Sequence, residues 1–281
     1  MDTLTISSRS YRLKDFSPLF KDMVKIRLAN SSKLKIKRSR NRLNNSINKG
    51  ITIYGVNTGF GKLSEIQIEK TDQELLQLNL IRSHATGIGK PLSIGICRTI
   101  MVLKLLTYAK GFSGIRLDLA EKIIQFLNKD VIPYIPEKGS VGASGDLAPL
   151  AHLGLALIGE GFSFYKGKKM KTITALDKAK IKAISLKAKE GISIINGTHV
   201  SSAIAISTLL NGENLIKTAD IIGAVSVENS LSSRNVFHSD VHKLKEHKGQ
   251  RDSAKNIYRI LSGSKIVGSH KNCGKVQDPY S

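Results

Sequence analysis

More than thirty consecutive residues, Val200 to Leu231, run without proline and with only four charged side chains, Glu213, Lys217, Asp220 and Glu228. A helix of that length exceeds the ordinary globular helix of about 10–14 residues. It also carries apolar residues on more than one face, so it needs other helices around it. The chain must therefore build a bundle around this segment. The rest of the sequence supplies further helices. Asp72–Ile81, Cys97–Lys110, Leu117–Lys129 and Leu147–Gly159 each repeat apolar residues every three or four positions, and Gly and Pro separate them. Val24 to Asn48 reads as a basic helix, and Gly50 to Gly61 as a glycine-punctuated loop. Phe162–Ile173 reads as a short hairpin turning near Gly167. The expectation is a mainly α protein with a mixed α/β N-terminal region over residues 1–195 and the first part of a helical bundle over 196–281.

Length and composition narrow the class. With 281 residues and 41% hydrophobic side chains, the chain can bury a sizeable core. The N-terminus lacks the apolar stretch of a secretory signal, and no apolar run has membrane-spanning length. Two cysteines, Cys97 and Cys273, do not make a disulfide framework. A cytoplasmic protein with no membrane partner is expected. The formal charge of +22 is concentrated in residues 1–50 and from Lys166 to Lys189. Neither stretch interleaves aromatics with its cations as a single-strand nucleic-acid surface would, so nucleic acid is not expected as a partner.

The chemistry centres on Gly139-Ser-Val-Gly-Ala-Ser-Gly-Asp-Leu-Ala-Pro-Leu150. Its glycines do not match the dinucleotide or phosphate-loop spacings, and Ser144 is not in a nucleophile elbow. Ala143-Ser144-Gly145 can instead cyclise. Gly145 has no side chain, so its amide nitrogen can reach the carbonyl carbon of residue 143, and the Ser144 hydroxyl can leave as water. Loss of two waters gives a methylidene-imidazolone (MIO), an electrophile that needs no external cofactor. The alternative for the tripeptide alone is a tight turn before a helix. Asp146 is placed to cap a helix starting at Leu147, whose positive end would face the tripeptide.

This run resembles the signature of the aromatic amino acid ammonia-lyase family, whose members act on histidine, phenylalanine or tyrosine. So do Tyr54-Gly-Val-Asn-Thr-Gly-Phe-Gly61, Arg82-Ser-His-Ala-Thr-Gly87, Lys189-Glu-Gly, Asn196-Gly-Thr198, Glu213–Asp220 and Val276-Gln-Asp-Pro-Tyr-Ser281, in family order. The resemblance implies a long-helix fold of the fumarase/aspartase type, MIO formed from Ala143, Ser144 and Gly145, and Tyr54 as the base for the substrate β-proton. A phenol is a poor base at neutral pH unless its surroundings favour the phenolate. The resemblance further implies substrate contacts from Asn196, Gln277 and Tyr280, and a lid from the loop holding Gly55, Gly59 and Gly61. Ser83-His84 matches the histidine-specific pattern, which implies conversion of L-histidine to trans-urocanate and ammonia, the first step of histidine degradation, in a homotetramer. Family members continue past the position of Ser281 with an Arg that grips the substrate carboxylate. The expectation is thus a C-terminally truncated chain, and the alternatives are a phenylalanine or tyrosine lyase, an aminomutase, or an inactive fragment. His238, His242 and His247 have ligand-like spacing, but a family-like surface segment accounts for them and no metal is expected.

Overall fold

The computed structural model describes residues 3–269 and Gly274. Packing divides the chain into two compact units, Met1–Thr208 and Leu209–Ser281. The first opens with strand β1 (Thr3–Ile6), helix α1 (Pro18–Lys21) and strand β2 (Lys25–Leu28), with β1 and β2 paired in parallel. Helix α2 spans Asn30–Asn48. The expected helix from Val24 is thus a strand for its first turn. Ile26 and Leu28 both point inward with exposed Lys25 and Arg27 between them, the period of two that a strand satisfies and a helix does not. Asn128 fixes this strand from across the fold, accepting from the Ile26 amide at 2.7 Å and donating to the Ile26 carbonyl at 3.0 Å.

Helices α3 (Gln73–His84), α4 (Ile94–Ala109) and α5 (Leu117–Asn128) follow as expected, with β3 (Ile88–Pro91) between the first two. Ser93 starts α4 by accepting from the Ile96 amide. α4 is the centre of the core: Cys97, Ile100, Met101, Val102, Leu105 and Tyr108 are buried, against Leu119, Ile123 and Phe126 of α5 and the apolar residues of the later helices. Each such side chain contributes about 1.5–3 kcal/mol on burial. Strands β4 (Val131–Pro133) and β5 (Pro136–Lys138) come next, β5 pairing with β3. α6 (Leu147–Leu157) packs closely on α3, because a Cβ on Gly154 would lie 2.6 Å from Ile81. β6 (Phe162–Tyr165) and β7 (Lys168–Lys171) form the expected hairpin, and β6 also pairs with β4. Lys166 and Gly167 both have positive φ, the left-handed two-residue turn that suits the strand twist. α7 (Thr172–Ala179) and the short α8 (Glu190–Ile195) lead to α9, His199–Asn229, the long helix anticipated from the sequence.

In the second unit, α10 (Ser239–His242), α11 (Lys248–Ile260) and α12 (Lys265–Ser269) follow α9. Arg234 lies over the Tyr258 ring at 3.6 Å and donates to the Tyr258 carbonyl, and Asp220 accepts from Asn256. His238 caps α10, and His242 bonds the Val236 carbonyl and Gln250. Among the described residues no group of three ligand-type side chains is assembled, and no described helix is long and apolar enough to cross a membrane.

One ion pair ties the start of α8 to the start of α5. The fully buried Glu190 carboxylate accepts from the Arg116 amide, Nε and Nη2 at 3.0, 3.0 and 2.7 Å, and from the Lys187 amide at 2.8 Å. A buried carboxylate deprived of such a partner is left uncompensated. Arg116→Ala is expected to cost about 3–5 kcal/mol in chemical denaturation. A loss under about 1 kcal/mol, the range of an exposed pair, would show that water reaches Glu190.

Candidate active site

The glycine-rich run forms an exposed loop between β5 and α6. Gly142, Ser144 and Gly145 have φ of +70°, +60° and +112°. A left-handed φ is unfavourable for a residue with a Cβ, by about 1–2 kcal/mol. Ser144 adopts it nonetheless, between Gly142 and Gly145, which do the same. Strain of this kind concentrates at functional sites. The tripeptide therefore fits the demands of cyclisation: a turn at its centre and no side chain at its third position.

Gly145 is held against a second loop. It pairs in parallel with Gly197, and the Asp146 amide donates to the Gly197 carbonyl at 2.9 Å. A Cβ on Gly145 would stand 2.5 Å from that carbonyl oxygen, so only glycine allows the approach. This contact places Ala143-Ser144-Gly145 beside Asn196-Gly197. The Asp146 side chain completes the junction in a way the sequence did not suggest. It makes no cap bond to α6. It turns instead to the start of α9, accepting from the Val200 and Ser201 amides at 3.0 and 2.8 Å and from the Ser201 hydroxyl at 2.6 Å, with the Ser140 hydroxyl at 2.8 Å. Pro149 removes one of the amide donors at the start of α6, whereas the start of α9 offers Asp146 two amides and a hydroxyl. Burial acts to raise the Asp146 pKa, but the bonds from Ser201, Ser140 and Val200 outweigh it and hold the carboxyl below its ordinary value.

Beneath this junction lie two further buried groups. Lys104, from the middle of α4, is fully buried and donates to the Ser193 and Asn196 carbonyls at 3.1 and 2.8 Å. Burial pushes its pKa down to about 7, against the attraction of Asp146. His199 is nearly buried, and burial, reinforced by Lys104, pushes its pKa down to about 3. The Thr107 hydroxyl lies 2.9 Å from His199 Nε2 and 3.2 Å from the Leu103 carbonyl, within hydrogen-bond reach of both. Its Nδ1 has no hydrogen-bond partner among the described residues.

The His84 segment reaches the same loop by a third route. His84, half-buried at the end of α3, has Nδ1 2.9 Å from the Leu80 carbonyl. A carbonyl only accepts, so Nδ1 bears the proton and Nε2 is left as an acceptor. Three residues on, the Gly87 amide donates to His152 Nε2 at 3.1 Å, and a Cβ on Gly139 would meet Gly87 Cα at 3.1 Å. The Tyr54 loop is tied in through Gln77, which donates to the Gly55 carbonyl at 3.0 Å and accepts from the Ile192 amide at 3.1 Å. Gly55 and Gly59 are explained by crowding, since a Cβ would lie 2.6 Å from the Phe60 ring in one case and from the Leu63 carbonyl in the other. The Tyr54 phenol is exposed and accepts from the Gly61 amide at 3.3 Å. Asn196 has an exposed side chain. Gln277 and Tyr280 lie outside the described residues.

Sequence reasoning did not single out Lys104, Gln77 or His199. Lys104 left a signal, a single charge inside the apolar run Ile100-Met-Val-Leu-Lys-Leu-Leu106. Gln77 left none, since a Gln in a helix is ordinary.

The depressed Asp146 pKa has a consequence for stability. A carboxyl whose folded pKa lies below its unfolded value, about 3.9, stabilises above that value and loses its contribution as pH falls through the folded pKa. Asp146→Asn is expected to lower the thermal midpoint at pH 7, with the gap to wild type narrowing below about pH 4. A gap that is constant with pH in paired melts would contradict the assignment.

Comparison with known proteins places the chain. The profile of the aromatic amino acid lyase family matches residues 11–281. The chain is similar to histidine ammonia-lyase of Myxococcus xanthus (strain DK1622), with 41% identity over 99% of this chain and 55% of that protein. Among solved structures it is similar to histidine ammonia-lyase from Trypanosoma cruzi, with a TM-score of 0.87 and 31% identity over 95% of this chain and 52% of the other. It is also similar to Pantoea agglomerans phenylalanine aminomutase, with a TM-score of 0.89 and 28% identity over 99% and 55%. The chain spans about half the length of the curated relatives it matches. The long-helix fold expected from the sequence is the one these structures share, and by its sequence the chain belongs to the aromatic amino acid lyase family.

Proposed function

We propose that the complete protein is a carbon–nitrogen lyase that converts L-histidine to trans-urocanate and ammonia. The observation that carries this reading is the backbone contact of Gly145 with Gly197, which sets the Ala143-Ser144-Gly145 turn beside Asn196. Ring closure joins the Gly145 nitrogen to the Ala143 carbonyl carbon. The carbonyl oxygen leaves as one water and the Ser144 hydroxyl as a second. The ring then supplies an electrophilic methylidene carbon, with no external cofactor. His84 Nε2, an acceptor on the neutral ring with no bond among the described residues, receives the N–H of an imidazole substrate. Asn196 holds the substrate amine, and Tyr54 takes the β-proton as the carbon–nitrogen bond breaks. Gln277 and Tyr280 contact the ring and substrate by their place in the family pattern. Histidine as substrate is supported by Ser83-His84 together with the histidine ammonia-lyases that the sequence resembles.

Homotetramer assembly is part of the same reading. Leu215, Ile216, Ile221 and Ile222 of α9 are 53–70% exposed, an apolar face that other helices would cover. A second reading, an aromatic aminomutase or a phenylalanine or tyrosine lyase, draws on the likeness to the phenylalanine aminomutase structure. An apolar ring offers nothing to the His84 acceptor, and this disfavours phenylalanine.

The complete protein should release urocanate from L-histidine. Ser144→Ala should abolish both that turnover and the near-ultraviolet absorbance of the ring, with the far-ultraviolet circular dichroism unchanged. Unchanged turnover in Ser144→Ala would overturn the mechanism. Cinnamate or coumarate in place of urocanate would move the substrate to the second reading.

A further inference from the structure

We infer that Lys104 is a positioning residue for the ring-forming tripeptide, acting through the peptide plane between Asn196 and Gly197. The inference rests on reading Ala143-Ser144-Gly145 as the ring precursor.

The argument is geometric. Lys104 enters from the middle of α4, and its ammonium donates to the carbonyls of Ser193 and Asn196. These lie at the C-terminal end of α8, where free carbonyls and the negative end of the helix dipole favour a cation. The described chain has no cis peptide, so the Asn196–Gly197 bond is trans and its C=O and N–H point in opposite directions. With the Asn196 oxygen held on the Lys104 side, the Gly197 N–H faces the other way. Gly145 pairs in parallel with Gly197, and a Cβ on it would sit 2.5 Å from the Gly197 oxygen, 2.8 Å from its carbonyl carbon and 2.9 Å from its nitrogen. The peptide plane that Lys104 orients therefore leads directly into the Gly197 backbone against which Gly145 rests. The same plane sets the backbone of Asn196, whose side chain is assigned to the substrate amine. His199 does not hold the plane in place of Lys104, because its Nε2 is engaged by Thr107 and its Nδ1 is unpaired among the described residues.

A second donor allows a specific control. The Tyr108 hydroxyl also bonds the Ser193 carbonyl, at 3.2 Å, and no bond from it to Asn196 is formed. Removing it loosens the same helix end without releasing the Asn196 plane.

The test compares Lys104→Met, of similar length but without a donor, with Lys104→Arg and Tyr108→Phe in the complete protein. Intact mass reports ring formation as loss of two waters. Steady-state kinetics reports kcat and KM, and circular dichroism and thermal melts report folding. Lys104→Met is expected to fold, to form the ring incompletely, and to lose kcat on the order of 100-fold, as for an ångström-scale misplacement of a reacting group, with a smaller change in KM. Lys104→Arg should restore part of both readouts, and Tyr108→Phe should stay near wild type. Full ring formation and wild-type kcat in a folded Lys104→Met would overturn the inference. So would losses as large in Tyr108→Phe, because Lys104 would then be a general anchor of α8. If Lys104→Met does not fold, Lys104→Leu, apolar and likewise without a donor, is read in the same way. Failure of both to fold overturns the inference by making Lys104 an element of stability alone. A wild-type protein whose mass shows no loss of water would instead refute the ring itself, and with it the proposed function.

Discussion

Two glycines in backbone contact hold the candidate site together. Gly145 approaches Gly197 so closely that a single carbon added to Gly145 would collide with the Gly197 carbonyl, while one added to Gly197 would strike the His199 ring. The loop between β5 and α6 and the loop between α8 and α9 thereby become one unit. Asp146 makes the union directional, because its amide bonds Gly197 while its carboxylate caps α9. Helix α9 thus begins where the tripeptide ends, and the long helix and the reactive turn are fixed by one residue.

The interior around this junction is apolar, yet it holds the charges of Lys104, Asp146 and Glu190. Lys104 and Asp146 are matched mainly by backbone groups at helix ends, and Glu190 equally by backbone amides and by the Arg116 guanidinium. Lys104 meets the carbonyls that finish α8, Asp146 the amides that start α9, and Glu190 the amides of Lys187 and Arg116 in addition to the Arg116 guanidinium. Helix termini leave such groups without intrahelical partners, and a buried charge without partners is costly. Satisfying each with the other is how short loops such as 196–198 can be held rigidly inside a helical protein.

The helices were legible because their apolar periodicity survives in one dimension. α3, α4, α5, α6 and α9 lie where that pattern places them, to within a few residues. The error at Val24–Leu28 arose because a four-residue strand is shorter than the window in which a helical period becomes visible, and its pairing partner, β1, is about twenty residues away. The motifs of the site were legible for a different reason: small residues at Ala143, Ser144 and Gly145 are a chemical requirement of cyclisation, whatever surrounds them.

The sequence by itself determined the family and the long helix, and it carries the motif from which the electrophile is proposed, since each depends on local composition or local order. Only the tertiary structure decided which loops meet, that Asp146 serves α9 instead of its own helix, and that Lys104 and Gln77 stand behind Asn196 and Tyr54. These are contacts between residues some 20 to 115 positions apart. Their energy comes from satisfying buried polar groups, and which polar groups are buried is known only once the chain has folded.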